Sequence, residues 1–148
     1  MKVALGSDHA GFELKDKLKQ HLEANGVTVD DKGTNSTASV DYPDYAQKVG
    51  EEVVNQKADL GILVCGSGIG MSIAANKIHG IRAAHVHDEA EAQLSREHND
   101  ANVLALGARM LDEQSAFGIV DRWLATPFSA GERHIRRIEK VTELEEVK

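Results

Sequence analysis

One cysteine and two prolines are all the 148-residue chain holds of those types, and a net charge of −7 leaves it without a basic excess. The lone thiol, Cys65, can close no intramolecular disulfide and is free for chemistry. Lysine and arginine on phosphates supply much of the affinity of nucleic-acid binders, so the acidic balance argues against that class. No apolar run is long enough to cross a bilayer. The opening MKVALGSDHAGF meets Asp8 and His9 too early to form a signal-peptide core, and with a single thiol it predicts a cytoplasmic protein.

What is present is an ordinary globular composition, 41% apolar and 28% charged, in a length that suits one domain, residues 1–148. Such a chain buries roughly two-thirds of its unfolded surface. Short apolar runs alternate with longer amphipathic stretches, the pattern of a parallel sheet covered by helices on both faces. Strands are expected at Lys2–Gly6, Val27–Asp31, Leu60–Cys65, Ile81–His87 and Asn102–Leu106. Helices are expected over 11–25, from Pro43 to Gln56, from the GSGIG loop to Ile78, over 88–97, and through Trp123. The fold class is therefore α/β, a three-layer Rossmann-like arrangement around a five-stranded parallel sheet. The tail from Glu132 to Val147 reads as a helix with Ile135, Ile138, Val141 and Leu144 on one stripe. With both sheet faces already covered, a partner subunit is the expected place for that stripe, which predicts a homodimer or homotetramer.

Ligands of open parallel sheets bind at the carboxyl ends of the strands. Here those ends carry Ser7, Asp8 and His9, then Cys65 to Gly70, then His87 and Asp88, then Gly107 to Arg109. Gly66, Ser67, Gly68, Ile69 and Gly70 expose successive backbone N–H groups at a helix start, where an anion or oxyanion fits. The same N–H groups favour a thiolate at Cys65, so a base and an oxyanion hole fall together as proton abstraction beside a carbonyl requires. The alternative for Cys65 is a small buried hydrophobe. His9 with Arg133 and Arg137, the latter two four apart on one helix face, suits a phosphate; the alternative is a solvated charged face, the role expected of Arg136. His98 and Asn99 stand in the loop SREHNDAN, where the histidine suits acid/base work or is merely hydrogen-bonded. His85 and His87 face one way on a strand, but no cysteine or carboxylate stands at a persuasive ligand spacing, so no metal is expected. Asp41, Tyr42 and Asp44 flank Pro43 as a turn or helix cap, with substrate contact the sharper reading.

In order, SDHAGFELK, DYPDYA, CGSGIGMSIAANK, HNDANVLALGAR and GERHIRR resemble the ribose-5-phosphate isomerase B family, which includes the galactose-6-phosphate isomerase subunits, over nearly the whole chain. The resemblance implies interconversion of an aldose and a ketose phosphate, ribose 5-phosphate and ribulose 5-phosphate being the leading pair, without a cofactor. It implies that Cys65 takes the C2 proton and returns it at C1 while the backbone of Gly66 to Gly70 holds the enediolate. Ser67 would move protons between oxygens, His98 would open the furanose ring, and Asp8 would assist at a hydroxyl. His9, Arg133 and Arg137 would hold the phosphate, Asn99 and Arg109 would bind substrate, and the sites would be shared between subunits. Ser67 stands where many relatives have threonine, and Ser7 where some have cysteine.

Two other readings compete. A six-carbon substrate, allose 6-phosphate or galactose 6-phosphate, would use the same base and clamp. A nucleotide-binding module would also place a glycine loop after a strand, but its third glycine would fall at Met71 and no GK[ST] follows.

Overall fold

Strands β1 (Lys2–Ser7) and β3 (Leu60–Cys65) are almost wholly buried, and their near-continuous apolar sequences are what a strand covered on both faces requires. The computed structural model describes residues 1–146; the expected helix end at Val147 lies outside them. In chain order the elements are β1, α1 (Phe12–Ala24), β2 (Thr28–Gly33), α2 (Tyr42–Val54), β3, α3 (Ile69–Ala75), β4 (Ala83–His85), α4 (Glu89–Glu97), β5 (Val103–Gly107), α5 (Glu113–Ala125) and α6 (Glu132–Glu143), ending in a 3-10 turn at Leu144–Glu146. All strand pairs are parallel, in the order β2-β1-β3-β5-β4.

Side chains alternate across the sheet and build two cores. Val3, Leu5, Ile62, Val64, Leu104 and Leu106 pack under α1 and α5. Ala4, Leu63, Cys65, Val103 and Ala105 pack under α2 and α3, with Met71 fully buried among them. The helices start where capping chemistry dictates: Asp88 and Asp112 accept the Glu91 and Ser115 N–H groups at 2.7 Å, and Pro43 stands in the first turn of α2.

Several boundaries differ from expectation. β4 keeps only Ala83–His85: a side-chain amide takes the backbone groups before it, and the Glu91 carboxylate takes the His87 N–H after it. Asn102 Oδ1 accepts the Arg82 N–H and its Nδ2 donates to Gly80 O, both at 2.8 Å. Helix α3 stops at Ala75, where Asn76 pairs through both amide atoms with the Ala83 backbone. Ile135 and Val141 on α6 and Leu144 in the turn after it stand exposed, while Ile138 is half-buried.

Topology locates the site. From β1 the chain crosses to β2 on one side, while β3 leads toward β4 on the other, so the loops after β1 and β3 diverge and open a crevice at the carboxyl edge. Their ends are level: Ser7 pairs with Val64, and Cys65 with Gly107.

Candidate active site

Cys65 ends β3, is 4% exposed, and its Sγ accepts the Gly68 N–H at 3.2 Å. That bond forms because the chain turns sharply through Gly68, whose φ of +81° is left-handed backbone that glycine adopts without strain. A methyl group there would also meet His85 Nε2 at 2.7 Å and the Gly107 nitrogen at 3.0 Å. Ser67 Oγ accepts the Ile69 N–H at 3.2 Å, so the hydroxyl stands at the start of α3.

Neighbouring loops close around this turn. Ala108 and Arg109 donate their N–H groups to Cys65 O (2.8 Å) and Gly66 O (2.9 Å), and the Arg109 guanidinium lies against Gly66. The Tyr42 ring covers Gly70, where a methyl group would approach its edge to 2.8 Å. On the loop after β1, buried Asp8 donates its N–H to Val64 O and accepts the Gly11 N–H at 3.0 Å. Gly11 must be glycine, since a methyl group would lie 2.3 Å from Val64 O. His9 Nδ1 accepts the Val40 N–H at 3.2 Å, leaving Nε2 as the nitrogen that donates.

A second group gathers elsewhere on the chain. His98, half-buried at the end of α4, stacks on His134 of α6, and Asn99 follows it. Together with Arg137 they line an open groove that also contains His85; Cys65, Asp8, His9 and Arg109 do not line it. Arg133 and Arg137 flank His134 along α6 and are exposed. Burial pushes the His134 imidazole below the ordinary histidine value, and nearby His98, Arg133 and Arg137 push it further the same way. The sequence-predicted residues thus form a thiol group (Asp8, His9, Cys65, Gly66, Ser67, Gly68, Ile69, Gly70, Arg109) and a histidine–arginine group (His98, Asn99, Arg133, Arg137) within one chain.

Two histidines outside the predicted set belong with them. His134 is buried although it stands in a run of charge; the available signal was its spacing of four from Ile138 on the apolar stripe. His85 does not face His87 as a ligand pair: its Nε2 lies 2.9 Å from Ser67 O, and the two rings tilt by 51°.

The fold and this edge define an α/β protein with a thiol beneath a glycine-rich helix start and a groove lined by histidines and Arg137. The Ribose/Galactose Isomerase family model matches residues 3–141, and the chain belongs to that family. It is 49% identical to ribose-5-phosphate isomerase B of Escherichia coli (strain K12) over 98% of this chain and 97% of that one. Among solved structures, Clostridium thermocellum ribose-5-phosphate isomerase B superposes with a TM-score of 0.97 at 49% identity, covering 99% of this chain and 98% of that one. The Mycoplasma genitalium enzyme with bound ribulose-5-phosphate superposes at 0.93 with 42% identity, covering 99% and 97%. No helix among the described residues is long and apolar enough to cross a membrane.

Proposed function

We propose that the chain interconverts ribose 5-phosphate and ribulose 5-phosphate through a cis-enediolate, with Cys65 as the base. One observation carries the reading: the only thiol of the chain accepts a backbone N–H from a helix-start loop at the end of a central strand. Such an N–H favours sulfur as an anion and so as a proton acceptor.

The steps give these residues the roles that the family resemblance implies. His98 moves the proton that opens the furanose ring, with the neutral state of His134 favoured against it. Cys65 takes the C2 proton, and the enediolate oxygen meets the N–H groups of the Gly66–Gly70 turn, already ordered before reaction. The Ser67 hydroxyl passes the proton between O1 and O2, and Cys65 returns its proton to C1. His9 Nε2 with Arg133 and Arg137 holds the phosphate, and Asp8, Asn99 and Arg109 contact the sugar hydroxyls.

In this proposal the thiol group of one subunit and the histidine–arginine group of another complete a site, in a homodimer or homotetramer. Support comes from the groove that His98, Asn99 and Arg137 line and that Cys65, Asp8, His9 and Arg109 do not, and from the uncovered Ile135 and Val141 on the helix that carries Arg133 and Arg137, with Leu144 just after it. A free thiol as base suits the reducing cytoplasm.

The test is conversion of ribose 5-phosphate in EDTA by the wild type and by Cys65→Ala, with allose 6-phosphate and galactose 6-phosphate alongside. Turnover of the pentose that drops by about three powers of ten or more in Cys65→Ala is the expected result. No turnover of the pentose by the wild type, or full turnover by the variant, overturns the reading; preference for a hexose moves the substrate assignment to six carbons.

A further inference from the structure

His85 ends the edge strand β4, and its half-buried ring turns toward the loop after β3. Nε2 lies 2.9 Å from the Ser67 carbonyl oxygen. A carbonyl only accepts, so Nε2 carries a proton and donates it. At the other end of that same peptide unit, the Gly68 N–H donates to Cys65 Sγ at 3.2 Å. The C=O and N–H of a trans peptide point in opposite directions, so one peptide spans the gap from imidazole to sulfur.

Two further contacts hold the ring in place. The Gly68 backbone is pressed between His85 and the end of β5, where a methyl group would lie 2.7 Å from Nε2 and 3.0 Å from the Gly107 nitrogen. Behind His85, the His87 ring packs at 4.4 Å between centroids, and its Nδ1 meets Glu91 Oε1 at 3.0 Å. The other titratable groups around this turn and the groove that contains His85 include Asp8 and His9 after β1, Tyr42 over Gly70, Arg109 against Gly66, and Lys77, Arg82, Glu91 and His98.

We infer that His85 is a positioning residue for the isomerisation, fixing and polarising the Ser67–Gly68 peptide so that its N–H holds the Cys65 sulfur ready to accept a proton. The inference rests on the reading of Cys65 as base. A hydrogen bond accepted at the oxygen of a peptide strengthens the one its N–H donates, and the stronger N–H···S bond favours anionic sulfur. It also fixes the direction in which the turn presents its N–H groups to an enediolate.

Purified wild type, His85→Leu and His85→Gln are compared by ultraviolet thiolate absorbance against pH, with Cys65→Ala as the blank, and by kcat and KM. Glutamine carries an N–H₂ near the position of Nε2 and still donates to Ser67 O; leucine does not. His85→Leu is expected to move the thiolate titration up by about half a pH unit. It should also lower kcat roughly tenfold with KM nearly unchanged, and His85→Gln should restore both. The inference is overturned if His85→Leu matches the wild type in both readouts. It is equally overturned if kcat falls alike in the leucine and glutamine variants while the titration stays put, the mark of a packing defect. Should His85→Leu fail to fold, His85→Asn, whose amide is too short to reach Ser67 O, takes its place with the same expectations. Failure of the base assignment shows separately, as wild-type turnover by Cys65→Ala, while the titration arm still reports whether His85 holds the peptide.

Discussion

The imidazoles of His98 and His134 stack with centroids 4.4 Å apart and planes within 12° of parallel. One comes from the end of α4 and the other from the first turn of α6, so the stack ties the C-terminal helix to the body of the chain. Two rings so close resist carrying two charges. His134 is held below the ordinary histidine value, by burial first and then by His98, Arg133 and Arg137. The unfolded chain therefore binds a proton that the folded chain does not. The stability contributed is full above about pH 6.5 and declines as pH falls through that value toward the folded one. Denaturant titrations at about pH 7.5 and about pH 5.5 should show this loss, and His134→Gln should reduce it.

Gly68 is the least replaceable residue of the turn. Gly68→Ala places a side chain at φ +81° and drives it against His85 Nε2. Left-handed backbone alone costs alanine about 1–2 kcal/mol. Turnover should fall roughly a hundredfold or more, since the displaced N–H is the one that Cys65 accepts. Steady-state assay with circular dichroism as a folding control separates this from unfolding.

Arg133, Arg136 and Arg137 are all exposed on α6, yet they should not behave alike. Arg137 lines the groove with His98 and His134. Arg137→Ala should raise KM about tenfold with a smaller change in kcat, as expected where a phosphate is held equally in ground and transition states. Arg136→Ala should leave both constants near wild type. Initial rates over a range of ribose 5-phosphate concentrations decide.

The uncovered stripe on α6 predicts an assembly-dependent activity. Val141→Asp with Leu144→Asp puts charge where the proposed partner would pack, on residues 50% and 67% exposed in the single chain. Analytical ultracentrifugation should show monomers, and turnover should be lost although every residue of the thiol group is intact.

Lys15 is a charged residue with 1% of its side chain exposed, bonded to both oxygens of Asp31 at 2.6 and 2.8 Å. Burial pushes the Asp31 carboxyl up, but hydrogen bonds from Lys15 and Gly33 and the charges of Lys15 and Lys19 outweigh it and hold the carboxyl below its usual range. The stability from this pair is present above about pH 4 and lost as pH falls below it. Asp31→Asn strands a buried ammonium and should cost about 3 kcal/mol at neutral pH, the low end for a broken buried pair because Asp31 is partly exposed. Urea denaturation measures the loss.

Strand β3, the turn after it and the helical stripe of α6 are all legible in the sequence, because each rests on short-range rules. An apolar run of strand length marks a buried strand, three glycines mark a tight helix start, and apolar spacing marks a helix face. Cys65 and its glycines were therefore visible together, being neighbours in the chain. His85 and His134 were not. Two apart on a strand, His85 and His87 read only as facing one way, with no third ligand at a persuasive spacing and no role assigned; the short β4 and its place outside β5 aim the His85 ring at Ser67. His134 stands in a run of arginines with no local mark of burial beyond its spacing from Ile138; the direction of α6 buries it on His98.

By itself, then, the sequence determined the α/β class, the lone thiol at a strand end and the helix-start loop that receives it. Only the tertiary structure decided which rings face that loop, and that the arginines of α6 gather with His98 rather than with Cys65. The physical reason is range: turn chemistry and periodicity act over a few residues, whereas strand order and helix direction are set by how the two cores close, and no local pattern records that choice.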